Sequence, residues 1–107
     1  MIVEVDEKLI KLSWRELAIL IVLHLIGWKT LTLSDVELIV AGHSRAVRLV
    51  ARLKELDLVE EYSVRGTKLY TLSELGEKVA EEVKKKMVEA NLWSSLVEAL
   101  GDAYRQA

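Results

Sequence analysis

Apolar residues recur along the chain with two different periods, and the changes of period mark the predicted elements. Residues 44–56 (SRAVRLVARLKEL) carry apolar side chains at the three- and four-residue spacing of a helix. Residues 59–64 and 68–72 alternate in the two-residue period typical of strands. Residues 74–87 return to a four-residue spacing. The pattern predicts a mainly helical α+β chain with a small β-hairpin.

The most apolar stretch is residues 17–28, and its part up to Ile26 lies in a predicted first helix. The preceding segment, SWRE at 13–16, has the Ser-x-x-Glu spacing of a capping box. The helix should therefore begin at Ser13 and end at Ile26, with Gly27 as a left-handed stop.

This first helix is apolar on nearly every side. A helix on the surface of a small monomer would show a polar face. We therefore expect a second copy of the chain to cover it, with Leu20 and Leu23 in the homodimer interface.

A second capping-box pattern, SDVE at 34–37, predicts that helix 2 begins at Ser34 and runs to about Ala41. Gly42 would break this helix, and Ser44 would be the N-cap of the next one. Two short helices joined by a tight turn with a glycine form a helix-turn-helix, whose second helix can enter a major groove.

Three arginines mark one side of the third helix. Arg45, Arg48 and Arg52 fall within an arc of about 60°, opposite the apolar side. A guanidinium offers paired donors that suit phosphate oxygens and guanine edges. With Lys54 against Glu55, four basic residues and one acidic residue give the helix a surplus of positive charge. The alternative is an ordinary surface helix with solvated charges.

The two alternating segments flank RGT at 65–67, which predicts a hairpin with its glycine in the turn. Its tip would carry Arg65 and Lys68. Ser73 should cap a fourth helix, in which glutamates precede lysines by four residues, as on an exposed helical face.

The N-terminal segment, 1–12, is expected to be a strand or extension. Ile2, Val3 and Val5 favour a short strand, and a helical start around Glu7 is the alternative.

The C-terminal segment, 91–107, has an amphipathic seam. Trp93, Val97, Leu100 and Tyr104 alternate four- and three-residue steps, which is typical of a helix that packs on a partner helix. We expect it to be a dimerisation element.

Composition narrows the class of protein. A chain of 107 residues suits one core, and 51% hydrophobic with 30% charged residues excludes a disordered chain. The absence of cysteine excludes disulfides, thiolate metal sites and cysteine nucleophiles. High lysine, glutamate and arginine content with two side-chain amides resembles thermophile usage. The apolar run is shorter than the ~20 residues of a membrane span and no signal peptide is evident, so a cytoplasmic protein is expected.

Catalytic and cofactor motifs are absent from the sequence. It has no phosphate-binding glycine loop, no Gly-x-Ser-x-Gly and no His-Glu-x-x-His, so we expect neither an enzyme nor a cofactor. His24 has no second histidine or cysteine at metal spacing and should be a packed histidine rather than a metal ligand. His43 suits either a phosphate neighbour or a capping group.

Two stretches resemble the MarR/PadR/ArsR-type winged helix-turn-helix regulators. LKELDLV at 53–59 is similar to the end of their recognition helix, where Leu-x-x-Leu is soon followed by Gly-Leu-Val. Asp57 stands where glycine is usual, and aspartate tolerates the left-handed conformation. YTLSELG at 70–76 resembles the Tyr-x-Leu-Thr-x-x-Gly signature that closes the wing, with serine as the cap. The resemblance covers about 13–90.

The resemblance implies a winged helix-turn-helix domain with an extra C-terminal helix. It also implies sequence-specific binding of double-stranded DNA by a small dimeric transcription regulator, with the recognition helix in the major groove and the wing on the flanking backbone. The implied DNA-binding residues are Ser44, Arg45, Arg48, Arg52 and His43 around the recognition helix, Arg65 and Lys68 on the wing, and Thr32 and Ser34 at the start of helix 2.

The net charge of -2 counts against DNA binding, so a second function has to be considered. Nucleic-acid binders are usually basic, so the positive charge would have to be concentrated locally. The alternative is a winged-helix adaptor that binds other proteins without DNA. A third interpretation adds an unidentified small-molecule effector at the dimer interface.

Overall fold

A computed structural model describes residues 1–26, 30–95 and 97–99. In chain order the elements are β1 (Ile2–Val5), β2 (Lys8–Lys11), α1 (Trp14–Leu25), β3 (Leu31–Thr32), α2 (Leu33–Val40), α3 (His43–Glu55), β4 (Val59–Val64), β5 (Thr67–Leu72) and α4 (Glu74–Glu89). Residues 93–95 and 97–99 are also helical. Strands β1 and β2 form one antiparallel sheet, and β3-β5-β4 form a second with β5 in its centre. Within these residues every helix is too short or too polar to cross a bilayer.

The N-terminal segment is a β-hairpin, so the helical alternative near Glu7 is wrong. Asp6 and Glu7 connect β1 to β2 with φ of 51° and 64°. Positive φ at both central positions defines the type I′ turn, whose twist suits a two-residue hairpin. Val3 and Ile10 point into the same core as the helices, and β1 lies along α4.

Helix α1 is the central helix of the chain. It contacts α2, α3, α4 and β5, and Leu20 and Leu23 are both 0% exposed. The expectation that a second copy covers this helix through these two residues is therefore wrong, because elements of the same chain already surround them. The helix is capped at Ile26, and its predicted stop at Gly27 lies outside the described residues.

The starts of α1 and α2 are both capping boxes. Ser13 and Glu16 form the predicted box at α1. The box of α2 is formed by Thr32 and Asp35, not by the predicted Ser34 with Glu37. The reason is that β3 pairs with β5 through Thr32, which holds Thr32 in the extended conformation of an N-cap. Ser34 is exposed in the first turn.

The turn between α2 and α3 begins one residue earlier than predicted. Ala41 is already left-handed, with φ of 58°, and Gly42 is the N-cap at φ 158°. No side chain caps α3, which starts at His43. Ser44 is therefore not the N-cap, because the two preceding residues have already turned the backbone.

The wing is the hairpin β4–β5. Arg65 and Gly66 alone form its turn, with φ of 52° and 81°, again the type I′ geometry. Thr67, which was expected in the loop, pairs with Val64 at the start of β5. The predicted hairpin is confirmed with a shorter turn.

The first turn of α4 packs directly on the corner after α3. Ser73 caps α4 as predicted by accepting a hydrogen bond from the Gly76 N–H, and its hydroxyl donates to the Asp57 carbonyl. Asp57 is left-handed, with φ of 60°, as expected. A Cβ on Gly76 would lie 2.0 Å from the Leu58 carbonyl oxygen, so only glycine fits.

Candidate nucleic-acid interface

Helix α3 has a buried side and a solvent-facing side. Its buried residues are Ala46, Leu49, Val50 and Leu53. Its outward-facing exposed residues are Ser44, Val47, Arg48, Ala51 and Glu55. We call this second set the outer face of α3. The wing lies on one flank of the outer face, and α1 with the N-terminal hairpin lies on the other.

Arg52 is 48% exposed, but its guanidinium is hydrogen-bonded to neighbouring elements and does not extend freely as the sequence predicts. Its Nε donates to Glu16 Oε2 at 2.6 Å, and a terminal nitrogen donates to the Lys11 carbonyl at 2.8 Å. The Glu16 side chain is only 4% exposed, and its other oxygen accepts the Ser13 N–H. Arg52 therefore holds α3 against α1 and the N-terminal hairpin through two of its guanidinium nitrogens.

Arg45 is also hydrogen-bonded to other parts of the chain. Its Nη1 donates to the Val40 carbonyl at 2.9 Å and lies 3.5 Å from the Ala41 carbonyl. Those carbonyls belong to the C-terminal end of α2, where a positive charge is favourable. The predicted row of three arginines thus contributes one residue, Arg48, to the outer face.

Three predicted cations remain exposed at the interface. Arg48 lies on the outer face of α3, and Arg65 and Lys68 lie at the tip of the wing. Among residues 1–26, 30–95 and 97–99, none of the three forms an ion pair. Of the predicted DNA-binding cations, these three are the ones that are both exposed and left without an ion pair by the described part of the chain.

The predicted residues around α2 have local partners. The Thr32 hydroxyl is part of the capping box with Asp35, whereas Ser34 is exposed. His43 Nδ1 pairs with Glu37 Oε1, so this histidine joins the start of α3 to α2. It caps neither helix.

A cleft of about 240 Å³ separates α3 from the wing. Lys54 Nζ spans it to Glu61 Oε1 at 3.2 Å, and this contact lowers the pKa of Glu61. Burial raises the pKa of Tyr70 in the same cleft, and the Glu61 carboxylate adds to the rise. Glu61 therefore stays charged and neutralises one of the cations beside the outer face.

A cluster that the sequence did not predict joins α1 to α4. His24 Nδ1 lies 3.2 Å from Glu77 Oε2, and its Nε2 lies 3.5 Å from Glu81 Oε1. The three groups are close enough to hold a cation. Each ring nitrogen faces a different carboxylate, so His24 links α1 to two positions one turn apart on α4. The spacing of Glu77 and Glu81 on one helical face was its only sequence signal.

No protein-family model and no curated protein sequence matches the chain. Several solved structures are similar to it. The adhesin competence repressor AdcR of Streptococcus pyogenes aligns with a TM-score of 0.63 at 18% identity, over 83% of this chain and 68% of that one. A mutant of Lactococcus lactis ZitR aligns with a TM-score of 0.65 at 16% identity, over 92% and 69%.

A second ZitR mutant, in apo form, gives a TM-score of 0.64 at 18% identity, over 84% of this chain and 67% of that one. Each of these alignments covers more than four fifths of this chain. The likeness concerns the backbone, since fewer than one residue in five is identical. The chain therefore has the α+β winged-helix fold.

Proposed function

We propose that this chain binds duplex DNA as a homodimer and acts as a small transcription regulator. The observation that carries the proposal is the juxtaposition, on a winged-helix fold, of the exposed outer face of α3 with the basic tip of the wing. One of the structural neighbours is described as a repressor, which supports the same class of function.

In this proposal α3 enters the major groove by its outer face, on which Ser44 and Arg48 are exposed. Arg65 and Lys68 contact the phosphates beside the groove, and the N-terminus of α2, with Ser34, approaches the opposite backbone. Arg45 and Arg52 act indirectly, because their hydrogen bonds fix the angle at which α3 leaves the domain.

The charge of the interface limits how strongly it can bind. Lys54 is neutralised by Glu61, and the chain as a whole carries -2. Affinity must therefore come from a few phosphate contacts, and a dimer doubles their number. Each phosphate neutralised contributes about 0.9 to the slope of log K against log salt concentration. We expect moderate, salt-sensitive binding.

We further propose that the C-terminal segment forms the dimer interface. Val88 and Leu92 are 51% and 49% exposed at the end of α4, and Val97 is half-buried. Trp93 packs partly on its own core, with Lys84 Nζ 5.4 Å from its ring centre. The remaining predicted interface residues, Leu100 and Tyr104, lie outside the described residues.

The test is fluorescence anisotropy with mixed-sequence duplex DNA across a salt series. Arg48→Ala should weaken binding and reduce the salt slope by about 1 per protomer. Lys85→Ala removes an equally exposed charge from α4, beside the N-terminal hairpin, and should leave both unchanged. Absence of binding at low salt would contradict the proposal and favour the protein-binding adaptor.

A further inference from the structure

The outer face of α3 carries two exposed apolar side chains, Val47 and Ala51, on the side that borders the cleft to the wing. Val47 is 46% exposed and Ala51 is exposed one helical turn later. A β-branched side chain lowers helix propensity, so an exposed valine gains little for the helix itself. Arg48 is the one charged side chain between them on this face.

We propose that Val47 and Ala51 read thymine bases through their C5-methyl groups, while Arg48 reads a neighbouring guanine. This inference rests on the proposed DNA-binding function and adds the sequence preference. The thymine methyl is the apolar group that base pairs display in the major groove, and alanine and other small apolar side chains contact it. Arginine, in turn, pairs its donors with guanine O6 and N7.

Charge complementarity identifies DNA as the occupant of this apolar surface. The unpaired cations Arg65 and Lys68 lie on the wing beside it, and Arg48 lies within it. An apolar protein partner would leave these three charges without a counterpart, whereas the phosphates that border a major groove supply one.

With α3 lying along the groove, helix geometry gives the spacing of the bases. Val47 and Ala51 are four residues apart, and therefore about 6 Å apart along the axis. Successive bases of a strand are about 3.4 Å apart, so the two side chains reach methyl groups about two base-pair steps apart. Each half-site should contain two thymines with one base pair between them, and a G·C pair beside them.

The experiment first selects high-affinity duplexes from a random pool with the intact protein. Each enriched thymine is then replaced by deoxyuridine, which lacks only the methyl group, and anisotropy measures the change in Kd. Loss of one buried methyl should weaken binding about four-fold, which corresponds to about 0.8 kcal/mol.

A variant ties the effect to Val47. At the thymine that Val47 contacts, the Val47→Ser variant should bind the thymine duplex and the deoxyuridine duplex with the same Kd. The serine side chain no longer offers an apolar contact. Ile2→Ser, a comparable change at an exposed β-branched residue of β1, should retain the four-fold difference. Thermal unfolding of both variants checks that each is folded.

The outcomes separate this inference from the proposed function. Salt-dependent binding with no loss on deoxyuridine substitution, or selected sites without paired thymines, would overturn the methyl readout and leave DNA binding intact. Failure to bind any duplex would overturn both.

Discussion

Arg48 and Arg52 lie one helical turn apart, and replacing each with alanine should affect a different property of the protein. Arg48 extends from the outer face of α3, so Arg48→Ala should weaken DNA binding and leave stability unchanged. Arg52 is bound to the buried Glu16 carboxylate, so Arg52→Ala should destabilise the fold.

The expected loss follows from the burial of the pair. Removing one partner of a buried ion pair costs about 3–5 kcal/mol, since it leaves an uncompensated charge. Arg52 is 48% exposed, so water can replace part of its contact, and Ser13 still donates to Glu16. We therefore expect about 2 kcal/mol. With an unfolding entropy of about 2.1 cal/mol/K per residue, this lowers the Tm by about 9 °C.

Circular dichroism, recorded during heating and during urea titration, measures the Tm and the free energy of unfolding of both variants. Arg48→Ala is the control and should stay within about 0.5 kcal/mol of the parent. In a Glu16→Gln background, Arg52→Ala should cost much less, because the buried charge is already gone. An Arg52→Ala variant that melts within about 2 °C of the parent would refute the structural role of this arginine.

Three further predictions concern other parts of the molecule. Gly76→Ala should lower the free energy of unfolding in urea by more than about 2 kcal/mol, because its Cβ would overlap a backbone oxygen. Gly66→Ala in the open wing turn should cost only about 1 kcal/mol, and equal losses would contradict the close packing at α4. Glu61→Gln should strengthen DNA binding about 3- to 10-fold at low salt by releasing Lys54 and removing a negative charge, and an unchanged Kd in anisotropy would exclude this effect. Deleting the residues after Asn91 should convert the proposed dimer to a monomer in sedimentation velocity, and a persisting dimer would move the interface elsewhere.

Signals confined to a few neighbouring residues were sufficient to predict several elements. Ser13 and Ser73 cap their helices because a capping hydrogen bond spans only three residues. The wing followed from its alternating strands and glycine turn. At α2 the same rule was ambiguous, since TLSD at 32–35 and SDVE at 34–37 both fit it. Pairing of β3 with β5 selects the first, and that pairing joins residues far apart in sequence.

The arginine row shows where the sequence was insufficient. A helical wheel places Arg45, Arg48 and Arg52 on one side, but it does not show which neighbours flank that side. Arg52 binds Glu16, 36 residues earlier, and a buried glutamate in an apolar helix looks in sequence like an ordinary cap. The sequence also could not show that α1 is covered by its own chain, because four elements from other parts of the sequence pack around it.

The tight junction at Gly76 couples the position of α4 to that of α3. The hydrogen bond from Ser73 to Asp57 and the absence of space at Gly76 prevent the first turn of α4 from sliding over the corner after α3. The 16 residues of α4 span about 24 Å, so tilting the helix by about 10° moves its far end by about 4 Å. In the proposed dimer, the pairing of the far ends would therefore set the distance between the two recognition helices, which must be about 34 Å to enter successive major grooves.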